Sequence, residues 1–359
     1  MTNKVRFGIL GSGYMGQTHA EAIVVQPGAE LVAVAGGSRA LSLAAKHKVV
    51  CEGSVNALIA RRDIDAVIVA TPHYAHVDQA LLAIETGKHV LVEKPLATTI
   101  EDCDRMIRAA TLHGVVLSLG YHFRFRTNPL RARELVRSNA IGRICTFLIS
   151  MPTHIAMWQS GGFGGNWEWW NNPASVGHVL DAATHAIDLM RWLTASEPVT
   201  VSAFSRTFRP NQVVEDATQA ILQFSHSEFS NEMIGSLFTS CALPAPSFPD
   251  EDLRIRMVGT RGLLDLDAYH ELRISDDAGW RTVSTQPSVG YEDSNTAFGD
   301  VRMQAYRRQI SEFTEAIRGN PSGGGTGLDG RAGVEVCIAM LTSSRERRWV
   351  DLQTSPTGV

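Results

Sequence analysis

The run Val5-Arg6-Phe7-Gly8-Ile9-Leu10 has the β-rich, apolar character of a buried strand and ends in the turn Gly11-Ser12-Gly13-Tyr14-Met15-Gly16. A helical stretch from Tyr14 to Val25 follows, and a second strand, Leu31 to Ala35, completes a βαβ unit. Glycine supplies 31 of the 359 residues, so a bare G-x-G-x-x-G match arises by chance in roughly one such chain in five. The flanking strand and helix give this match its weight. Gly11 permits the tight turn, Gly13 lets backbone approach a pyrophosphate, and Gly16 lets the helix pack close against the strand. A dinucleotide site is therefore expected here, with Gly11, Gly13, Tyr14, Met15 and Gly16 in contact with it.

The strand–helix alternation continues to about residue 122. Strands are predicted over 64–69, 88–93 and 115–120, with helices near 75–86 and 99–112, the latter opened by a Thr98/Glu101 capping box. Alternating units of this kind form a parallel, doubly wound sheet. The strand ending at Glu93 runs into Lys94-Pro95, placing a lysine at the sheet's carboxyl edge, where the reactive end of a dinucleotide lies. Lysines are also common at strand ends simply because their ammonium groups stay in solvent there.

Beyond Pro129 the rhythm changes. A helix near 129–138 and a strand near 143–150 precede a glycine- and tryptophan-rich stretch and a strong helix over 177–194. Strands are predicted over 199–206, 217–224, 233–240 and 253–258, with shorter ones near 262–274. Successive strands with few crossover helices imply a large, mostly antiparallel sheet. Final helices are expected near 301–318 and from about 329. The fold class is thus α/β: a dinucleotide-binding domain over 1–122 and a substrate-binding and oligomerisation domain over 123–359, whose last helices can pack back on the first domain.

Charge and composition exclude other classes. The formal net charge of −4, from 33 basic and 37 acidic residues, lacks the basic excess of a nucleic-acid-binding protein. Cys51, Cys103, Cys145, Cys241 and Cys337 show no C-x-x-C spacing and read as reduced, mostly buried thiols. No apolar run approaches a membrane span and the chain enters its first strand almost at once, so a cytoplasmic protein without membrane contacts is expected.

The residues resemble the glucose-fructose oxidoreductase/inositol dehydrogenase family, Gfo/Idh/MocA, nearly from end to end. The resemblance is carried by the glycine turn, Ala70-Thr71-Pro72 with His76, Gly87-Lys88-His89-Val90, Glu93-Lys94-Pro95, Gly120 with Arg124-Phe125, Gly177 through His185, Gly259-Thr260-Arg261-Gly262 and Asp329-Gly330. It implies an N-terminal Rossmann domain and a C-terminal α/β domain with an open sheet that serves as a subunit interface, in a homodimer or homotetramer. It also implies hydride exchange between a nicotinamide and a sugar, cyclitol or related carbonyl. Thr71, Pro72, His76, Glu93, Lys94 and Pro95 join the expected cofactor contacts, with a cis proline directing the lysine. The family's D-x-G-x-H segment reads Asp181-Ala182-Ala183-Thr184-His185 here, a small change at the glycine.

A second departure bears on the cofactor. The acidic residue usual after the second strand is missing, and Ala35 leads into Gly36-Gly37-Ser38-Arg39. An acid there would hydrogen-bond the ribose hydroxyls of NAD and repel the 2′-phosphate of NADP. Gly37, Ser38 and Arg39 instead offer room, a hydroxyl and a guanidinium. NADP in preference to NAD is the expected cofactor; the contrary arrangement has Arg39 in solvent and NAD held at its ribose by backbone alone.

His178, Asp181, His185 and Asp188 recur at helical spacing and share one face. Such a face suits acid/base catalysis, because an imidazole's ordinary pKa near ~6.5 lets it exchange a hydroxyl proton at neutral pH. It also suits a metal site or a set of ties to neighbouring elements. No metal is expected. Lys94, His185 and Asp181 are the catalytic candidates, with Lys94 or His185 carrying the proton and Asp181 orienting the imidazole or holding a substrate hydroxyl. Tyr121, His122, Arg124 and the indoles of Trp158, Trp167, Trp169 and Trp170 are candidate substrate contacts, since indoles stack on sugar faces and also dominate cores and interfaces. The expected activity is an NAD(P)-dependent sugar or polyol dehydrogenase or reductase. The alternatives are a glycosidase that oxidises its sugar transiently and a non-enzymatic ligand-sensing regulator on the same fold.

Overall fold

A computed structural model of the chain describes residues 4–154, 171–244, 253–287 and 298–353. These fall into two compact units, one of residues 4–122 and 298–331, the other of the remaining described residues.

The first unit begins with β1 (Val5–Leu10), α1 (Tyr14–Val24) and β2 (Ala29–Ala35), followed by α2 (Ala40–His47), β3 (Val50–Glu52) and α3 (Val55–Ile59). It continues through β4 (Ala66–Val69), α4 (His76–Glu85), β5 (His89–Val92), α5 (Ile100–His113) and β6 (Leu117–Leu119). The strands pair in parallel in the order β6-β5-β4-β1-β2-β3, with Gly325–Thr326 added antiparallel on β6. Every residue of β4 is buried, as a strand covered on both faces requires. The cap of α5 lies one residue beyond the predicted one: Thr99 Oγ1 accepts the Asp102 amide at 3.1 Å, so Thr98 and Glu101 do not form the capping box. The short elements α2, β3 and α3 were not anticipated, because three to eight residues carry too little periodicity to be read.

The second unit contains α6 (Thr127–Arg137), β7 (Ile144–His154), α7 (Gly177–Thr194), β8 (Pro198–Arg206), β9 (Ala217–Phe224) and β10 (Ser230–Leu243). β11 (Arg254–Gly259), β12 (Leu263–Asp267), β13 (Glu271–Asp276) and β14 (Gly279–Thr285) extend it. The sheet order is β14-β13-β12-β11-β7-β10-β9-β8, closed by Val350–Asp351. β7 and β10 run parallel, and the other neighbours are antiparallel, as predicted. α7 packs on β7 and β10, and nearly all of its side chains are buried. On β9 the side chains alternate: Thr218, Ala220, Leu222 and Phe224 are buried, whereas Ile221 is exposed. Leu148, Phe204, Ile234 and Val258 from four other strands are also exposed.

Two later helices are α8 (Asp300–Ile317) and α9 (Gly327–Glu346). α8 belongs to the first unit, where Met303, Tyr306, Ile310 and Phe313 share one core with Phe7, Ile9 and Ile23. No helix among the described residues is long and apolar enough to cross a membrane.

Candidate active site

The glycine turn has the shape its sequence demands. Gly11 sits at φ 101°, and a Cβ there would stand 2.3 Å from the Ala70 carbonyl oxygen. A Cβ on Gly16 would lie 2.0 Å from the Gly11 oxygen. Gly13 differs: among the described residues its Cβ position meets only the Arg39 Nη2 within 4 Å, at 3.9 Å. The turn is therefore closed against side chains on the sheet side and open at Gly13, which fits a pyrophosphate laid on backbone amides.

Arg39 is half-buried and turned toward that turn, its backbone amide donating to Ser12 Oγ at 3.1 Å. Gly37, at φ 81°, leaves the space that Ser12 Oγ occupies, since a Cβ there would approach it to 2.5 Å. Ser38 is exposed beside them. Tyr14 packs its ring against Phe298 and under the Arg302 guanidinium, which lies 4.6 Å from the ring centroid. Met15 packs on the hydrophobic core.

At the ends of β4 and β5 the side chains tie two loops together. His76 is fully buried, with Nδ1 2.8 Å from the Pro95 oxygen and Nε2 2.9 Å from the Thr71 oxygen. Burial pushes its pKa down to about 4, so the ring is neutral and donates to one of these carbonyls at a time. Thr71 Oγ1 donates to Gln79, and Pro72 opens a short helical turn over 73–75. His76 thus fixes the chain on either side of the site instead of facing outward. The Lys94–Pro95 bond is cis and Lys94 is half-buried. Glu93 is buried, with Oε1 2.7 Å from His19 Nε2 and Oε2 3.3 Å from the Lys94 amide. Gly120 makes room for it, because a Cβ there would stand 2.8 Å from the carboxylate.

Tyr121 is buried, and His122 stacks on Tyr306 at 4.6 Å and 15°. Tyr306 in turn receives a hydrogen bond from Arg302 Nη2 at 3.0 Å. His19, Arg302 and Tyr306 were missed from the sequence. The readable signals were His19 three residues past Gly16 and the i, i+4 spacing of Arg302 and Tyr306.

In the second unit α7 carries the histidine–carboxylate face, and its members have separate partners. His178 Nε2 lies 2.9 Å from Thr239 Oγ1. Asp188 receives a bidentate pair from Arg124, with Nε at 2.8 Å from Oδ2, so Arg124 is a buried structural ion pair here. His185 is buried and meets the Phe123 ring edge-on, centroids 5.0 Å apart. Asp181, one helical turn earlier, is also buried. The amide of Val179 at the start of α7 donates to Glu215 Oε1 at 2.6 Å, and burial raises that carboxyl to about 7. Among the described residues no three His, Cys, Asp or Glu side chains gather as a metal set. Trp158, Trp167, Trp169 and Trp170 lie outside the described residues.

Residues 5–121 match the oxidoreductase family with an NAD-binding Rossmann fold, and residues 130–265 match the GFO/IDH/MocA C-terminal domain. The chain is 27% identical over 347 residues to inositol 2-dehydrogenase 3 of Saccharopolyspora erythraea, covering 94% of this chain and 92% of that protein. It is 27% identical over 311 residues to the 1,5-anhydro-D-fructose reductase of Ensifer adhaerens, covering 84% of each. Among solved structures it is similar to GenD2 from gentamicin A biosynthesis in complex with NAD, with TM-score 0.81, 25% identity and coverage of 99% and 98% of the two chains.

Proposed function

The chain belongs to the Gfo/Idh/MocA oxidoreductase family, and from that premise we propose that it exchanges hydride between a nicotinamide dinucleotide and a hydroxyl or carbonyl of a sugar, sugar derivative or cyclitol. The observation that carries the reading is the sheet order β5-β4-β1, which brings Lys94 to the same carboxyl edge as the glycine turn. When bound there, the nicotinamide supplies or accepts the hydride.

The protein's own residues do the rest. Gly11, Gly13 and Gly16 receive the pyrophosphate on backbone. Lys94 polarises the reacting oxygen and stabilises its alkoxide character. His185 serves as general acid or base, and Asp181, its neighbour on α7, orients the imidazole or holds a substrate hydroxyl. Arg39 over the turn and the absence of an acid at the end of β2 favour NADP over NAD. The exposed apolar side chains of β7, β8, β9, β10 and β11 favour a homodimer or homotetramer built on that sheet face, in a cytoplasmic enzyme. A single monomeric species at micromolar concentration in sedimentation velocity would contradict the oligomer.

A screen of cyclitols, aldoses and keto-sugars with both cofactors tests the activity. Turnover is expected with at least one polyol–cofactor pair, and its absence across the panel would leave a non-catalytic sensor on the same fold as the better reading.

A further inference from the structure

Three arginines are buried among the described residues, Arg124, Arg126 and Arg302. Arg124 is paired with Asp188, and Arg302 donates to the Tyr306 hydroxyl. Arg126 is 2% exposed, yet none of Nε, Nη1 and Nη2 has a hydrogen-bond partner among the described residues. Its guanidinium carbon lies 3.7 Å from the Tyr269 ring centroid and 5.3 Å from that of Phe123. Asp267, two residues before Tyr269, does not answer this charge. Its Oδ1 accepts the amides of Tyr269 at 2.8 Å and His270 at 2.9 Å, and its buried Oδ2 has no hydrogen-bond partner among the described residues, so it makes no hydrogen bond with Arg126.

A buried cation without an ionic or hydrogen-bonding partner is costly, and ring stacking offsets only part of that cost. Stacking also occupies the face of the guanidinium and leaves its N–H groups directed outward in the plane. That edge is complementary to a planar, bidentate anion, and a carboxylate is the closest match. Phe123 connects this arginine to the proposed chemistry, because its ring meets both His185, at 5.0 Å, and Tyr269, at 5.5 Å. We propose that Arg126 is a specificity-determining residue that binds a carboxylate on the substrate, so that the preferred substrates are acidic sugars or cyclitols rather than neutral ones. The inference rests on the sugar-oxidoreductase reading above and names its substrate class.

The test is calorimetric titration of the full chain, at saturating reduced cofactor, with D-glucuronate and D-galacturonate against D-glucose and D-galactose. The wild type should bind each uronate at least about 10-fold more tightly than its neutral partner, and Arg126→Met should weaken uronate binding about 10–100-fold. Cofactor affinity and neutral-sugar affinity should be unchanged in the variant, and its melting temperature without sugar should be equal or higher, since the substitution removes an unpaired buried charge. Equal wild-type affinity for acids and neutral sugars, or an acid preference that survives Arg126→Met, would overturn the proposal. A variant that fails to fold would mark Arg126 as a structural cation and overturn it too. The two readings fail separately. Turnover of neutral sugars without uronate preference removes the carboxylate site alone, whereas Arg126-dependent uronate binding without hydride transfer in any pair removes the dehydrogenase alone.

Discussion

In the parallel sheet, β1, β4, β5 and β6 lead at their carboxyl ends into Gly11, Thr71, Lys94 and Tyr121, so each candidate group is placed by the strand it follows. The larger sheet positions its groups indirectly. His185 rides on α7, which packs against β7 and β10, while Phe123 precedes α6 and Tyr269 follows β12. One region sets its candidate groups on main chain directly after a strand; the other brings its candidate groups together through helices and loops packed on a sheet. The first arrangement is preorganised by main-chain geometry and the second by side-chain packing, so substitutions should act differently in each.

Removing one chemical group from each region should have the largest effect. Lys94→Ala and His185→Ala should each lower turnover by roughly 10²–10⁴-fold, the loss associated with a positioned acid, base or oxyanion donor. Cofactor dissociation constants should move much less in both variants. Near-normal turnover in either, with a true substrate in hand, would remove that residue from the chemistry.

A smaller effect is expected at the glycine turn. Arg39→Ala should weaken NADP binding about 10–100-fold while leaving NAD nearly unchanged, because one charge-assisted contact is lost. Wild-type protein that binds NAD tenfold or more tightly than NADP would contradict the cofactor preference outright.

The smallest effects are on stability, and the two regions should respond to pH in opposite directions. His76, held near 4 by burial, contributes stability that is present above the ordinary histidine value of about 6.5 and is lost as pH falls toward 4. Glu215, raised to about 7, contributes in the other sense: its stabilisation is complete below its unfolded value of about 4.5 and is lost as pH rises through 7. Glu215→Gln keeps an acceptor for the Val179 amide and should therefore raise stability at pH 8 by on the order of 1–3 kcal/mol. Thermal melts across pH 5–8 check both slopes, and a Glu215→Gln variant less stable than wild type at pH 8 would refute the assignment.

The same contrast governs how much was legible in the sequence. β1, α1 and α7 emerge within a residue of their predicted bounds because strong periodicity and turn chemistry coincide there. The Glu93–Lys94–Pro95 turn was readable because its strand and proline are adjacent in the chain. His19 beneath Glu93 was not, since a histidine within a helix carries no sign of a partner 74 residues away. Arg124 and Arg126 look alike in sequence, yet one is paired with Asp188 and the other stacks on Tyr269. That distinction depends on residues more than sixty positions distant.

The central claim, net hydride exchange between a nicotinamide and a sugar or cyclitol, is tested most directly with a polyol substrate deuterated at its reacting carbon. Deuterium should appear in the cofactor in step with accumulating reduced nicotinamide and oxidised product. Label that returns to the sugar with no net change in cofactor would indicate transient oxidation in a glycosidase, and would contradict the claim.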